Sequence, residues 1–203
     1  MNKDQKLLEE AYQMIYEKEE LHSEVREYIA NGSKGDLNLD QVKTLRSLPD
    51  NLEVEGNLIL RHTKIKALPN NLKIGGELDL LGSSIVSLPD DLKINGELNL
   101  LGSPIRFLPR GLEVCGDLNI GWTNIDSLPG DLKVGGNLIL TGSKVVHVSQ
   151  LPLTMKIRGK IRSRTIDERD LANHKKAVRR AVKVTKELSK DFSQEDLEAL
   201  KDF

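Results

Sequence analysis

The sequence predicts an α+β repeat solenoid, in which parallel β-strands stack into one column with helices at both ends. The first observation is a Leu-Pro dipeptide that recurs at a fixed interval of 20 residues. The second is that six aliphatic positions and one glycine recur in every copy. The third is a composition with 38% hydrophobic but only 3% aromatic residues, which fits an aliphatic core. A fixed period of this length is typical of a repeat architecture.

Each repeat carries the pattern of an extended chain with one buried face. Apolar residues alternate from Leu72 to Leu80, around a recurring glycine at Gly76. One coil cannot cover that face, so neighbouring coils must cover it from above and below. The recurring glycine indicates either a positive φ or a close backbone approach. The aliphatic positions of the second full repeat are Leu68, Leu72, Ile74, Leu78, Leu80 and Ile85.

The repeats divide the chain into three regions. Residues 1–34 are predicted to form an N-terminal helical cap, because apolar residues recur there at near-helical spacing. The solenoid is predicted over 35–163, with five full repeats in 48–147 and a partial coil at each end. Residues 164–203 are predicted to be basic C-terminal helices, with Thr165 and Glu168 as a capping box for the first and Ser193 opening the second. Thr63, Ser83, Ser103, Thr123 and Ser143 share one column, where their hydroxyls are expected to bond the backbone of adjacent coils.

The segment Leu58-Ile59-Leu60, followed by Thr63 and Ile65, resembles the Leu-x-Leu-x-x-Asn-x-Leu core of leucine-rich repeats. The repeat length and the Leu-Pro opening are similar to those of bacterial leucine-rich effector proteins and of related bacterial and phage proteins. This resemblance implies a horseshoe whose concave sheet face binds partners. Thr or Ser replaces the usual Asn, so the asparagine ladder of that family is replaced here. A parallel β-helix satisfies much of the same periodicity and stays open as an alternative.

The sequence offers no pattern for catalysis, cofactor binding or metal binding. The four histidines are scattered, and the single cysteine, Cys115, can form neither an internal disulfide nor a thiolate cluster. The effectors mentioned above often carry a ubiquitin-ligase domain with a Cys-x-Asp motif. Here Cys115-Gly116-Asp117 occupies ordinary template positions, and few residues follow the repeats. We therefore expect a non-enzymatic protein without cofactor or metal. No segment has the length or apolarity of a membrane helix, and we expect a cytoplasmic location.

The outward positions of the predicted strands form columns suited to binding another protein. Acidic side chains occupy the centre, and aliphatic residues with the only tryptophan border them. Such a mixture suits a protein surface that carries basic and apolar groups. The predicted protein-binding residues are Ile59, Arg61, Glu77, Asp79, Leu81, Glu97, Asn99, Leu101, Asp117, Asn119, Trp122 and Ile139.

The basic C-terminal region supports an alternative, binding to nucleic acid. Between Lys156 and Lys190 there are 13 basic and 4 acidic residues, a balance of +9 in a chain whose net charge is −1. Clustered cations on a helix attract phosphates. The candidate nucleic-acid-binding residues are Lys175, Lys176, Arg179, Arg180, Lys183 and Lys186. The preferred expectation is nevertheless a protein-protein interaction module, acting as a bacterial or phage modulator or inhibitor of a host protein.

Overall fold

The structure is a computed structural model that describes residues 22–152 and 154–188, without the side chains at 178, 181, 182 and 184–188. Helix α1 spans Ser23–Ala30, a short 3₁₀ helix spans Val148–Gln150, and helix α2 spans Glu168–Leu188. Most of the predicted N-terminal helical segment and the second C-terminal helix, predicted from Ser193, lie outside the described residues.

Parallel strands stack in the order of the sequence and confirm the repeat solenoid. Successive strands of a seven-stranded sheet pair at equivalent repeat positions, so that Leu58 lies opposite Leu78 and Leu78 opposite Leu98. Its strands are β1 (Leu37–Asn38), β3 (Leu58–Ile59), β5 (Leu78–Asp79), β7 (Leu98–Asn99), β9 (Leu118–Asn119), β11 (Leu138–Ile139) and β13 (Ile161–Arg162). The curvature of a leucine-rich repeat horseshoe stays a prediction.

A second set of short parallel strands runs along the same coils. It comprises a two-stranded sheet of β2 (Glu53–Val54) and β4 (Lys73–Ile74), and a four-stranded sheet of β6 (Lys93–Ile94), β8 (Glu113–Val114), β10 (Lys133–Val134) and β12 (Lys156–Ile157). The expected single extended segment from Leu72 to Leu80 is therefore two strands, separated by a bend at Gly75 and Gly76. Each coil thus presents two sheet faces that point in different directions.

The aliphatic template positions form one continuous core. Leu78, Leu80 and Ile85 are fully buried, and so are their counterparts in the next two repeats. Leu72 is only partly buried and packs against the edge of this core. Each apolar column continues through the neighbouring coils. Adjacent coils therefore shield the apolar side chains of each coil from water, which a single coil could not do.

The recurring glycine is explained by close backbone approach. A Cβ atom at Gly96 would lie 2.8 Å from the carbonyl carbon of Gly76 and from the backbone nitrogen of Glu77 in the preceding coil. The Gly96 backbone N–H donates to the Gly76 oxygen at 2.9 Å, and Gly116 donates to Gly96 in the same way. Of the two explanations offered by the sequence, close approach applies at this column.

The Thr and Ser column is buried, but its hydroxyls do not bond adjacent coils as expected. Thr63 donates to the Leu60 oxygen at 2.8 Å and Thr123 donates to the Ile120 oxygen at 2.7 Å, both within their own coil. The serine hydroxyls at 83, 103 and 143 find no partner among the described residues. A carbonyl three residues back is the nearest acceptor, so the threonines bond locally rather than across coils.

Helices flank the solenoid at both ends. Val25 and Tyr28 of α1 are buried in the core beside the first coil, and the Tyr28 hydroxyl donates to the oxygens of Ser33 and Gly35. At the other end, Leu171 of α2 packs against the core. The predicted capping box of Thr165 and Glu168 is wrong, because Asp167 accepts from the Asp170 N–H at 2.7 Å and the helix begins at Glu168.

Candidate functional site

The outward side of the seven-stranded sheet, called the sheet face below, brings the predicted protein-binding residues together. Strands β3, β5, β7, β9 and β11 carry them in adjacent columns because the register advances by one repeat per strand. Their surroundings differ, however, and much of the polar content of the face has a role within the chain. Three groups of residues can be distinguished by their hydrogen bonds.

The first group forms a side-chain ladder between coils. The Asn57 side-chain oxygen accepts from the Glu77 N–H at 2.7 Å, and the Asp117 carboxylate accepts from the Asn137 N–H at 2.6 Å. Asn137 in turn accepts from the Lys160 N–H at 2.9 Å. A ladder of this kind is therefore present, but in a column different from that of the Thr and Ser residues. These short side chains hold coils together, which reduces what Asp117 can offer to a partner.

The second group bonds its own backbone two residues further on. Asn99 accepts from the Leu101 N–H at 3.2 Å, and Asn119 accepts from the Gly121 N–H at 3.0 Å. Asp79 does the same with Leu81 at 3.0 Å. Such local bonds are characteristic of Asn and Asp side chains where a chain turns. The polar residues of this column thus stabilise the end of each strand.

The prediction that Asp79 is a protein-binding residue is wrong, because the residue is buried. It was expected on the exposed face, but its side chain is only 1% exposed and pairs with the Arg61 Nε at 2.5 Å. Burial of a lone carboxylate is costly, and Arg61 supplies the compensating charge. The hydrogen bond to Asp79 also raises the pKa of Arg61. The pair ties strands β3 and β5 together, so neither charge is free for a partner.

The third group, Glu77 and Glu97, carries charge without an ion pair at the centre of the face. They are adjacent, since the Glu97 backbone oxygen accepts from the Leu78 N–H at 2.9 Å. Among the described residues, neither carboxylate has a hydrogen bond or ion pair. Partial burial is the main cause that raises the pKa of both, and the charges of Asp79 on Glu77 and of Glu77 on Glu97 raise it further. The charge of Arg61 opposes this effect at Glu77 without cancelling it.

Trp122 follows strand β9 and has an unusual backbone conformation. Trp122 has a φ of 53° and its side chain is 64% exposed. Equivalent positions in other repeats also have positive φ but are held by His62 and by glycines at 82, 102 and 142. A bulky residue is rare in this conformation. A Cβ atom at Gly142 would lie 2.7 Å from the indole, so the ring rests on that glycine.

Apolar side chains continue from the tryptophan along the face. Leu81 and Leu101 are half-buried, and the Leu101 side chain lies over Gly121, where a Cβ atom would be 2.9 Å from its Cδ1. Ile59 and Ile139 are half-buried near the two ends of the sheet. The face thus combines two unpaired carboxylates with a bordering apolar strip that ends in Trp122.

The candidate nucleic-acid-binding residues lie on α2, apart from the sheet face. Lys175, Lys176, Arg179, Arg180 and Lys183 are exposed. The side chain of the sixth predicted residue, at position 186, lies outside the described part. Lys175 and Arg179 also line a cavity of about 210 Å³ between α2 and the last coil, with Met155, Ile157, Ile161 and Leu171 among its apolar walls.

The fold and this face define a class, a parallel-strand repeat solenoid with a mixed acidic and apolar surface. A scan against protein-family models found no match, and neither did searches of curated proteins and of solved structures. The described residues contain no group of His, Cys, Asp or Glu side chains arranged to hold a metal ion. Nor does the described part contain a helix with the length and apolarity needed to cross a membrane.

Glu97→Gln is expected to raise the thermal unfolding midpoint at neutral pH. Because the folded-state pKa of Glu97 is raised, the native protein binds this proton more tightly than the unfolded chain does. The charged form therefore costs stability above that pKa, and the cost disappears as the pH falls through it. Glutamine keeps the shape and removes the charge. Unfolding midpoints of parent and variant, measured from neutral to acidic pH, should converge at low pH.

Glu113→Gln provides a control of opposite sign. The hydrogen bond from Lys133 lowers the pKa of Glu113, so this carboxylate stabilises the native protein at neutral pH and loses that effect as the pH falls. Glu113→Gln should therefore not raise the midpoint at neutral pH. A lower neutral-pH midpoint for Glu97→Gln would show that the Glu97 charge is compensated in the folded protein.

Proposed function

We propose that this chain is a non-enzymatic protein-protein interaction module that binds a protein partner through the sheet face. The observation that supports the proposal best is Trp122, a largely exposed indole kept on a left-handed backbone where glycine would be less strained. Strain of this kind is concentrated at functional sites. Exposed tryptophans are also frequent anchors at the centres of interfaces.

The chemistry of the face indicates the kind of partner. Glu77 and Glu97 form no ion pair among the described residues. Arg61, whose charge acts on Glu77, is already paired with Asp79. A Lys or Arg from a partner would compensate the two glutamates. Leu81, Leu101 and Trp122 lie to one side and suit an apolar group. The proposed partner therefore presents a basic residue next to an apolar one. A stacked, hydrogen-bonded sheet needs little ordering on association, which favours binding.

The proposal includes a biological setting drawn from the resemblance to bacterial and phage leucine-rich repeat proteins. In that setting the module acts in the cytoplasm of a bacterial or infected host cell. By covering a basic and apolar surface of a host protein, it would modulate or inhibit that protein. Covering a surface requires affinity but no catalytic group, in agreement with the expectation from the sequence.

Trp122→Ala is expected to weaken binding of the partner by about 30-fold, because a large anchor is worth about 2 kcal/mol or more. The first measurement is quantitative mass spectrometry of host proteins retained by the immobilised parent and variant. The second is the dissociation rate of the purified partner, where the loss should appear. Phe107→Ala is the matched control, since Phe107 is 68% exposed but lies outside the sheet face.

The paired reversal Glu77→Lys with Glu97→Lys tests the acidic centre separately. It should slow association and reduce its dependence on salt, because complementary charges steer encounter. Glu27→Lys with Asp90→Lys is a control of equal charge change, and both of these acids are exposed. The proposal is wrong if the sheet-face variants retain the partner like the parent while the controls lose it.

A further inference from the structure

The last coil differs from all others in its outward residues. Along the chain from 156 to 164, every second residue is basic, whereas Ile157 and Ile161 point to the core side and are partly buried. The outward residues are Lys156, Arg158, Lys160, Arg162 and Arg164, called the basic band below, and all five are exposed. Lys156 lies on β12 and Arg162 on β13, and the other three cations lie at the bend and in the connections beside these strands.

The described structure neutralises the basic band only in part, since the charge of Arg162 acts on Asp117 and helps to lower the pKa of that carboxyl. Among the described residues, no member of the basic band forms an ion pair. Lys133 lies in register with Lys156 on the neighbouring strand and adds a further cation, although it pairs with Glu113. Lys133, Lys156 and Arg158 also line a depression of about 240 Å³ that is open to solvent. Unpaired cations at this density attract a polyanion.

The basic band turns a corner, which restricts the shape of a polyanion that can contact all of it. Strand β12 belongs to the four-stranded sheet and β13 to the seven-stranded sheet, with a bend at Arg158 and Gly159 between them. The cations before and after the bend therefore face different directions. A flat lipid surface cannot meet both directions at once. Duplex DNA, with a persistence length of about 50 nm, does not follow so short a turn.

We propose that the basic band binds the phosphate backbone of a single-stranded nucleic acid. A single strand is flexible enough to pass around the last coil from one sheet face to the other. The band lacks aromatic residues on which bases could stack, so binding should depend on charge and not on base sequence. The band borders the proposed protein-binding face, since Arg162 lies in register with Ile139 and its charge acts on Asp117. The test uses a nucleic acid and no protein partner, so its outcome is independent of the protein-binding function.

The test is fluorescence anisotropy with a labelled oligothymidine of about 20 nucleotides, longer than the site of one small binding fold. The full chain is titrated over a series of salt concentrations. The variant Arg158→Gln, Arg162→Gln, Arg164→Gln should reduce the slope of log K against log salt by about 2, since each phosphate contact to a single strand contributes about 0.7. Unfolding midpoints of all proteins verify that they are folded.

Two further variants make the result specific to the last coil. Lys64→Gln, Lys93→Gln, Arg106→Gln removes three exposed cations from other coils and should leave the slope unchanged. Arg179→Gln with Arg180→Gln tests the helix α2 alternative and should have the smaller effect.

The proposal is overturned by any of four results. The first is the absence of any anisotropy change when the parent is titrated at low salt. The second result is an unchanged slope in the band variant, and the third is a larger loss in the helix variant. The fourth is tighter binding to a duplex of the same length, or to vesicles containing anionic lipid, than to the single strand. Binding of the single strand that the band variant loses and the control retains supports it.

Discussion

Leu98→Ala is expected to lower the free energy of unfolding by about 2–5 kcal/mol. Leu98 is fully buried in β7, in register with Leu78 on one side and Leu118 on the other. Truncation removes its apolar contacts and leaves a cavity that two rigid neighbouring coils cannot fill. Chemical denaturation, analysed for both midpoint and slope, measures the change.

Lys93→Ala is the matched control for this substitution. Lys93 lies in the same coil but on its exposed side, so its truncation should change the free energy of unfolding by no more than about 0.5 kcal/mol. Equal losses in the two variants would mean that the inward and outward positions of the repeat have been exchanged.

Gly96→Ala is expected to lower the free energy of unfolding by about 1–3 kcal/mol through overpacking. The added methyl group would meet backbone atoms of Gly76 and Glu77 at 2.8 Å, and backbone atoms cannot rotate away as a side chain can. The coils would have to separate, which stretches the 2.9 Å hydrogen bond from Gly96 to Gly76. Thermal and denaturant unfolding both measure the loss.

Gly102→Asn separates steric packing from backbone conformation. Gly102 has a φ of 70° and nothing within 4 Å of the Cβ position, so its requirement is conformational. Asn tolerates this region, and the substitution should cost less than about 1 kcal/mol. A smaller loss for Gly96→Ala than for Gly102→Asn would contradict close approach as the reason for the recurring glycine.

The buried columns could be predicted because they depend only on local spacing. The positions of Leu78, Leu80 and Ile85 are aliphatic in every full repeat. When coils stack in register, the side chains at equivalent positions of adjacent coils pack on each other and are buried. The solenoid follows from that recurrence without knowledge of any distance. The bend at Gly75 and Gly76 could not be predicted in this way, since alternation continues through it and the periodicity is the same on both sides.

The candidate site was predicted less completely, because outward position does not determine accessibility. Asp79 and Asn99 occupy the same column, yet Asp79 is buried by its pair with Arg61 whereas Asn99 is half-buried. Glu77 and Asp117 also share a column, but only the shorter Asp117 reaches the N–H of the next coil. These differences depend on the length of the side chain and on which groups the neighbouring coil places next to it. The sequence of one repeat contains no information about that neighbour.

Two features of the surface could have been found from sequence by aligning the repeats more closely. Trp122 shares its position with three glycines and a histidine, a pattern that indicates positive φ. The basic band appears as strict alternation of basic and inward residues from 156 to 162. The direction that each cation faces could not be found, because it depends on the assignment of β12 and β13 to different sheets.

The sequence by itself determined the repeat length, the burial of its aliphatic columns and the parallel stacking, because these follow from periodic burial of apolar side chains. Only the tertiary structure decided where each coil bends, which polar side chains hold adjacent coils together and which charges stay unpaired. The physical reason is that hydrophobic burial is set by spacing along the chain. Hydrogen bonds and ion pairs between coils instead require distances and angles that arise only when one coil lies on the next.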